Sequence, residues 1–310
     1  MSGVGTVLAG CPRTRDNARP ARNMQTMIID AHTHIFPEEV LANPERFGDL
    51  DPAFGMMHAG GARMVSPAEL LEEMDRHGID KALLTGFPWR APELCRLNND
   101  FIMEVMRTYP GRFLGLAVVN PSTSRGSGPG ETLAEAMRCL EAGMHGIGEL
   151  HLEMQGFSLH EREVIEPLCD VAMQYDRPLM IHVNEPVGHN YPGKEQVALS
   201  SIYSLICDYP EMKLILPHWG GGFFLYELMP EVAQAASKVF YDSAASPFLY
   251  DSRIHSVAEN CAGARKLLFG TDFPLIPYQR CLDDVYAGGM SDAGIAAFLG
   301  GNARRLFRIE

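Results

Sequence analysis

Two histidines stand two residues apart in the run Asp30-Ala31-His32-Thr33-His34. On a β-strand, side chains at i and i+2 leave the same face, so both imidazoles can point to one metal ion. The spacing recurs at Glu149 and His151 in Gly146-Ile147-Gly148-Glu149-Leu150-His151. His182, His218 and Asp272 stand singly, each at or near the end of a short apolar run. A lone buried histidine is more often a hydrogen-bonded core residue than a ligand, and a His-X-His triplet arises in many proteins by chance. The combination is different. Imidazoles and carboxylates at the ends of several strands form the nitrogen and oxygen donor set that suits zinc and related divalent ions.

The elements that must position these residues follow from the apolar pattern. Short apolar runs at 27–34, 81–86, 112–120, 145–151, 178–183, 213–218, 239–245 and 266–273 are bounded by Gly, Pro or polar residues and read as strands. Most are continuously apolar rather than alternating, as in parallel strands covered on both faces. Amphipathic stretches separate them. Ser66-Pro67-Ala68-Glu69 is a capping box with proline at the first helical position, and Gly78 closes that helix. Further helices are expected at 91–109, 131–142, 159–175, 195–209, 223–237 and 251–262, with a pair after 279. Eight strands alternating with helices predict an α/β fold, a (β/α)8 TIM barrel in which 27–310 form a single domain. A doubly wound open sheet would place a glycine-rich dinucleotide loop after the first strand, where this chain has the histidines. The connection over 36–65 is unusually long and rich in Pro and Gly, which marks a lid or a disordered loop.

Composition narrows the function classes. Over 310 residues, 46% are hydrophobic and 21% charged, which is ordinary globular usage. The net charge of −13 disfavours a nucleic-acid partner. No apolar run approaches the ~18 residues that would span a membrane. Seven cysteines, an odd number with no Cys-X-X-Cys, argue against a disulfide framework and for reduced thiols in a cytoplasmic protein. Residues 1–26 are expected to be a disordered extension. The stretch 4–10 is too short for a signal-peptide core, and Arg13, Arg15, Arg19 and Arg22 follow it rather than precede it.

Asp30-Ala31-His32-Thr33-His34, His182, Pro217-His218-Trp219-Gly220-Gly221, Gly270-Thr271-Asp272-Phe273-Pro274 and Gly301-Asn302-Ala303-Arg304-Arg305-Leu306-Phe307 together resemble the amidohydrolase superfamily. The branch is the amidohydrolase-2 group, which includes aminocarboxymuconate-semialdehyde decarboxylase, and the resemblance covers about 27–309. It implies a TIM barrel with a divalent metal, usually zinc. It implies His32, His34, His182 and Asp272 as metal ligands and His218 as the catalytic or second-metal histidine. In binuclear members an acidic group from the fourth strand bridges two metals, so Glu149 is either such a bridge or a group that orients a ligand imidazole. One ion is expected, or two. A homodimer is the oligomer that the resemblance implies.

The chemistry expected from this set is metal-assisted. A bound divalent ion brings its water to a pKa near ~7. Asp272 can hold that water and accept its proton, and the ion or His218 can stabilise a developing oxyanion. The leading expectation is therefore a metal-dependent hydrolase acting on a small molecule, a carboxylate or a cyclic amide or ester. The alternative is a non-oxidative decarboxylase. A barrel with a purely structural metal fits less well, because a closed structural site needs no open-face acid and base. For substrate contacts, Arg90 after the second strand could clamp a carboxylate. Asn184 shares the face of His182, Trp219 could wall the pocket, and His58 in the long first connection is a candidate lid residue. His77, His145, His160, His189 and His255 are read as structural or surface residues.

Overall fold

The computed structural model describes residues 27–58, 61–124 and 130–309. The expected extension over 1–26 lies outside the described residues. The apolar runs form eight strands: β1 Ile29–Thr33, β2 Lys81–Leu84, β3 Phe113–Ala117, β4 Gly146–Leu150, β5 Leu179–Ile181, β6 Leu214–Leu216, β7 Val239–Asp242 and β8 Leu267–Leu268. They pair in parallel in sequence order, β1 to β8. The last returns to the first: Ala31 N–H donates to Phe269 O at 2.7 Å and His34 N–H to Phe273 O at 2.7 Å. This closes a TIM barrel.

The strands are buried along almost their whole length, which is why they read as continuous apolar runs. Ile29, Leu83, Leu114, Leu116, Met180, Ile215 and Leu268 fill the interior of the barrel, while Leu84, Ile147, Leu179 and Leu214 face the helix ring. The helix Pro67–His77 begins at the expected capping box, with Ser66 Oγ accepting from Glu69 N–H, and ends at Gly78 in the left-handed region.

Two expectations change. The connection 36–65 is built of three short helices, α1 Glu38–Ala42, α2 Pro44–Leu50 and α3 Pro52–His58. Val40, Phe47 and Phe54 from these helices join Phe36, Phe87 and Trp89 in a hydrophobic cluster of their own. The stretch 223–237 is not one helix. A 3-10 segment His218–Leu228 leads into a short helix Pro230–Ala235, because Trp219, Gly220, Gly221 and Gly222 all have positive φ and turn the chain sharply.

Candidate metal centre

The donor-bearing residues sit where parallel strands end, at the C-terminal mouth of the barrel. Two close backbone approaches bring them together. Gly148 has φ +127, and a Cβ there would lie 2.4 Å from Met180 O, so β4 runs against β5 only with glycine at this position. A Cβ on Gly221 would lie 2.2 Å from Asn184 O, which pins the turn after His218 onto the end of β5. His218 and Asp272 themselves adopt positive φ, 55° and 63°. Left-handed backbone at non-glycine residues is disfavoured and is typically held in place by its surroundings at functional sites.

Six side chains form two adjacent groups. In the first, His32 Nε2 lies 3.2 Å from His34 Nε2, and Asp272 Oδ1 lies 3.1 Å from His34 Nε2 and 3.9 Å from His32 Nε2. In the second, Glu149 Oε1 lies 2.7 Å from His182 Nδ1, and His218 Nε2 lies 3.2 Å from His182 Nδ1. Glu149 spans the two, its Oε2 being 3.4 Å from His32 Nε2. The first group faces the mouth, with His34 and Asp272 20% and 14% exposed, whereas Glu149 is 2% exposed.

The surrounding acceptors settle where the imidazole protons lie. His32 Nδ1 donates to Asp242 Oδ2 at 3.0 Å and His34 Nδ1 to Thr85 O at 3.0 Å. A carboxylate and a carbonyl only accept, so in the neutral form of each ring Nε2 presents its lone pair to the centre. Two imidazole lone pairs and the Asp272 carboxylate then converge, and they repel unless a cation lies among them. The residues fit a divalent ion.

The second group obeys the same logic. Glu195 N–H donates to Asn184 Oδ1 at 2.9 Å, and Asn184 Nδ2 donates to Tyr191 Oη at 3.0 Å, which fixes the amide. His182 Nε2 therefore donates to Asn184 Oδ1 at 2.7 Å, leaving Nδ1 as an acceptor. His218 Nδ1 donates to Ala244 O at 3.0 Å, leaving Nε2 as an acceptor. Here too three acceptors surround a position that only a proton or a metal ion can occupy.

Charge in this pocket is strongly coupled. Burial opposes ionisation of Asp272, whereas positive charge placed on or among the His34, His32 and His218 imidazoles holds its carboxyl below the usual range. Burial opposes charge on His218, but Glu149 and Asp272 raise its pKa. His151 stacks on His182 at 3.8 Å. Burial works against its charge, while Glu149 and Glu195 on either side push it up to about 9.

Of the residues expected to meet substrate, two are placed elsewhere. Arg90 Nε donates to Met154 O and its Nη2 to Glu153 O, so the guanidinium ties this loop to the segment after β4. Trp219 is fully buried. Its indole N–H donates to Ser246 Oγ at 3.0 Å and its ring stacks on Phe298, because the left-handed turn after His218 carries it into the core. Asn184 reaches the centre, but as the amide that orients His182. Asp242 and Glu195 were not among the expected residues. Asp242 stands at the end of β7, where an acidic residue at a strand end was a legible signal. Glu195 accepts the N–H groups of Leu152 and Met154, a role set by a loop fold that no local motif announces.

With this geometry in hand, comparison with known proteins is informative. The amidohydrolase family model matches residues 29–309. Gamma-resorcylate decarboxylase of Polaromonas sp. is 25% identical over 76% of this chain and 86% of its own length. 2-Amino-3-carboxymuconate-6-semialdehyde decarboxylase of Dictyostelium discoideum is 23% identical over 92% of this chain and 93% of its own. In fold, the chain is similar to 5-carboxyvanillate decarboxylase of Novosphingobium aromaticivorans complexed with manganese and 4-hydroxy-3-methoxy-5-nitrobenzoic acid, with TM-score 0.74, 17% identity and coverage of 96% and 100%. It is likewise similar to 2,6-dihydroxybenzoate decarboxylase complexed with 2,6-dihydroxybenzoate, with TM-score 0.71, 20% identity and coverage of 92% and 100%. The expectation of a hydrolase is corrected by these relatives, which are decarboxylases aligned with 76% and 92% of the chain. Family and donor groups together support a divalent metal at the centre. Among the described residues, no helix is long and apolar enough to cross a membrane. The chain belongs to the amidohydrolase family of metal-dependent barrel enzymes.

Proposed function

We propose that this protein is a metal-dependent non-oxidative decarboxylase of a small aromatic or similarly unsaturated carboxylate. The observation that carries the reading is that curated relatives aligning with most of the chain are named as decarboxylases. The two donor groups fit a division of labour. His32, His34 and Asp272 at the open mouth would hold one divalent ion, zinc or manganese, both of which suit imidazole and carboxylate donors. When bound, the ion supplies positive charge that holds an anionic substrate and withdraws electron density from it.

The deeper group of Glu149, His182 and His218 would hold the proton. Decarboxylation replaces a carboxylate by hydrogen: the bond to the carboxyl carbon breaks, its electron pair stays on the ring or alkene carbon, and a proton joins that carbon as CO2 leaves. His218, held by Ala244 O at one nitrogen, presents its other nitrogen to this shared proton and is assigned as the donor. Glu149 keeps the proton in place through its 2.7 Å contact with His182, and Asn184 fixes the tautomer of His182.

The test uses enzyme loaded with Mn2+ or Zn2+ in deuterated water, supplied with 2,6-dihydroxybenzoate or 2-amino-3-carboxymuconate semialdehyde. CO2 release with one deuteron at the vacated carbon is expected for at least one of them. Release from neither, with metal bound, overturns the reading.

A further inference from the structure

The described part of the connection from β1 to the helix Pro67–His77 does more than cover the barrel. His58, the last residue of α3, stacks on Phe54 with ring centroids 4.1 Å apart, and meets Phe36 edge to face at 5.4 Å. Phe87 lies 5.9 Å away. Two of these rings are anchored directly beside the centre. Phe36 is two residues beyond His34, and Phe87 is two residues beyond Thr85, whose carbonyl orients His34. His58 Nδ1 donates to Phe54 O at 3.0 Å, one turn back on its own helix. That bond fixes the tautomer, so Nε2, the far edge of the ring, is an acceptor. Burial lowers the pKa of His58, which favours the neutral ring. Among the described residues, Nε2 has no hydrogen-bond partner given by the structure, and it is a polar atom in an otherwise apolar aromatic wall. The helix is also braced on its other side: a Cβ on Gly193, in the loop after β5, would come within 3.0 Å of Met57 Sδ.

We propose that His58 is a specificity residue that reads a hydroxyl group on a planar aromatic carboxylate. The assignment rests on the decarboxylase reading above and narrows it to hydroxyarylcarboxylates over open-chain substrates. Phe36, edge to face with His58, and Phe87, tilted against it, suit a flat ring. A neutral imidazole acceptor rewards a substrate with an O–H donor and leaves an unpaired polar atom against an analogue that lacks one.

Binding, measured by calorimetry on the metal-loaded full chain, separates this from the parent reading. The ligands are 2,6-dihydroxybenzoate and 2,6-dimethoxybenzoate, and the readout is the ratio of their dissociation constants. Wild type should prefer the hydroxyl form. His58→Phe keeps the aromatic wall without the acceptor and should reduce that preference by about tenfold, the worth of one hydrogen bond. His58→Gln supplies an acceptor oxygen and should retain more of the preference. Should the phenylalanine variant not fold, His58→Leu serves as the acceptor-free form. A ratio in the acceptor-free variant equal to that of wild type overturns the assignment of His58 while leaving the decarboxylase reading intact. Failure of metal-loaded wild type to bind either compound overturns the substrate class itself, and the role of His58 with it.

Discussion

Asp242 is fully buried, and its two oxygens serve both donor groups. Oδ2 accepts from His32 Nδ1 at 3.0 Å, while Oδ1 accepts from the backbone N–H of His218 at 3.2 Å and of Ala244 at 2.9 Å. One carboxylate thus sets the tautomer of His32 and holds the left-handed backbone that aims His218. Asp242→Asn preserves shape but not this logic. The amide oxygen is needed by the two backbone donors, so the NH2 group turns to His32 Nδ1 and sets donor against donor. His32 then moves its hydrogen to Nε2 and no longer offers a lone pair to the ion. Loss of such a partner typically weakens metal binding about 10–100-fold. Competition with a chelating dye should show a drop of that size in a folded variant, and an affinity matching wild type would remove Asp242 from the centre.

At the level of strands and loops, what was legible followed from period and burial. Parallel strands covered on both faces read as eight apolar runs, and the two-residue strand period places His32 beside His34 and Glu149 Oε2 3.4 Å from His151 Nε2. The division of the donors into two groups was not legible. It depends on positive φ at His218 and Asp272, and on glycines that let β4 press on β5, and neither leaves a periodic signal. The same limit applies to Trp219 and Arg90, whose residue types fit a pocket but whose loops place the one in the core and the other against backbone carbonyls. Glu149 is the element-level test, because its carboxylate spans both groups from one strand. With one ion at the mouth and a proton in the deeper group, wild type and Glu149→Gln should each bind one ion per chain by elemental analysis. Two ions in wild type falling to one in Glu149→Gln would instead make Glu149 a metal bridge and displace the proton-holding role.

Across the whole barrel, chemistry and acid stability occupy opposite ends. The donors gather where strands end. His145 lies where β4 begins, with Lys81 at the start of β2 and Arg177 just before β5. Such a separation lets one end be altered without touching the other. Burial, with Arg177 and Lys81 adding to it, pushes the pKa of His145 down from 6.5 to about 4. The neutral ring accepts from Gly115 N–H at its Nδ1, a bond that protonation would remove. The folded pKa is depressed below the unfolded one, so the unfolded chain binds the proton more readily between pH 6.5 and 4. Stability from this group is full above pH 6.5 and falls as pH drops toward 4. From pH 7 to pH 5 the loss is about 2 kcal/mol, at roughly 1.4 kcal/mol per pKa unit. His145→Asn keeps an acceptor oxygen for Gly115 and cannot titrate. Urea unfolding at the two pH values should show wild type losing about 2 kcal/mol more than the variant between them. The pH profile of CO2 release should be the same in both proteins, since nothing at this end touches the centre. Equal pH-dependence of stability in wild type and variant would show that His145 does not govern the acid side, and a shifted activity profile would show that the two ends are coupled.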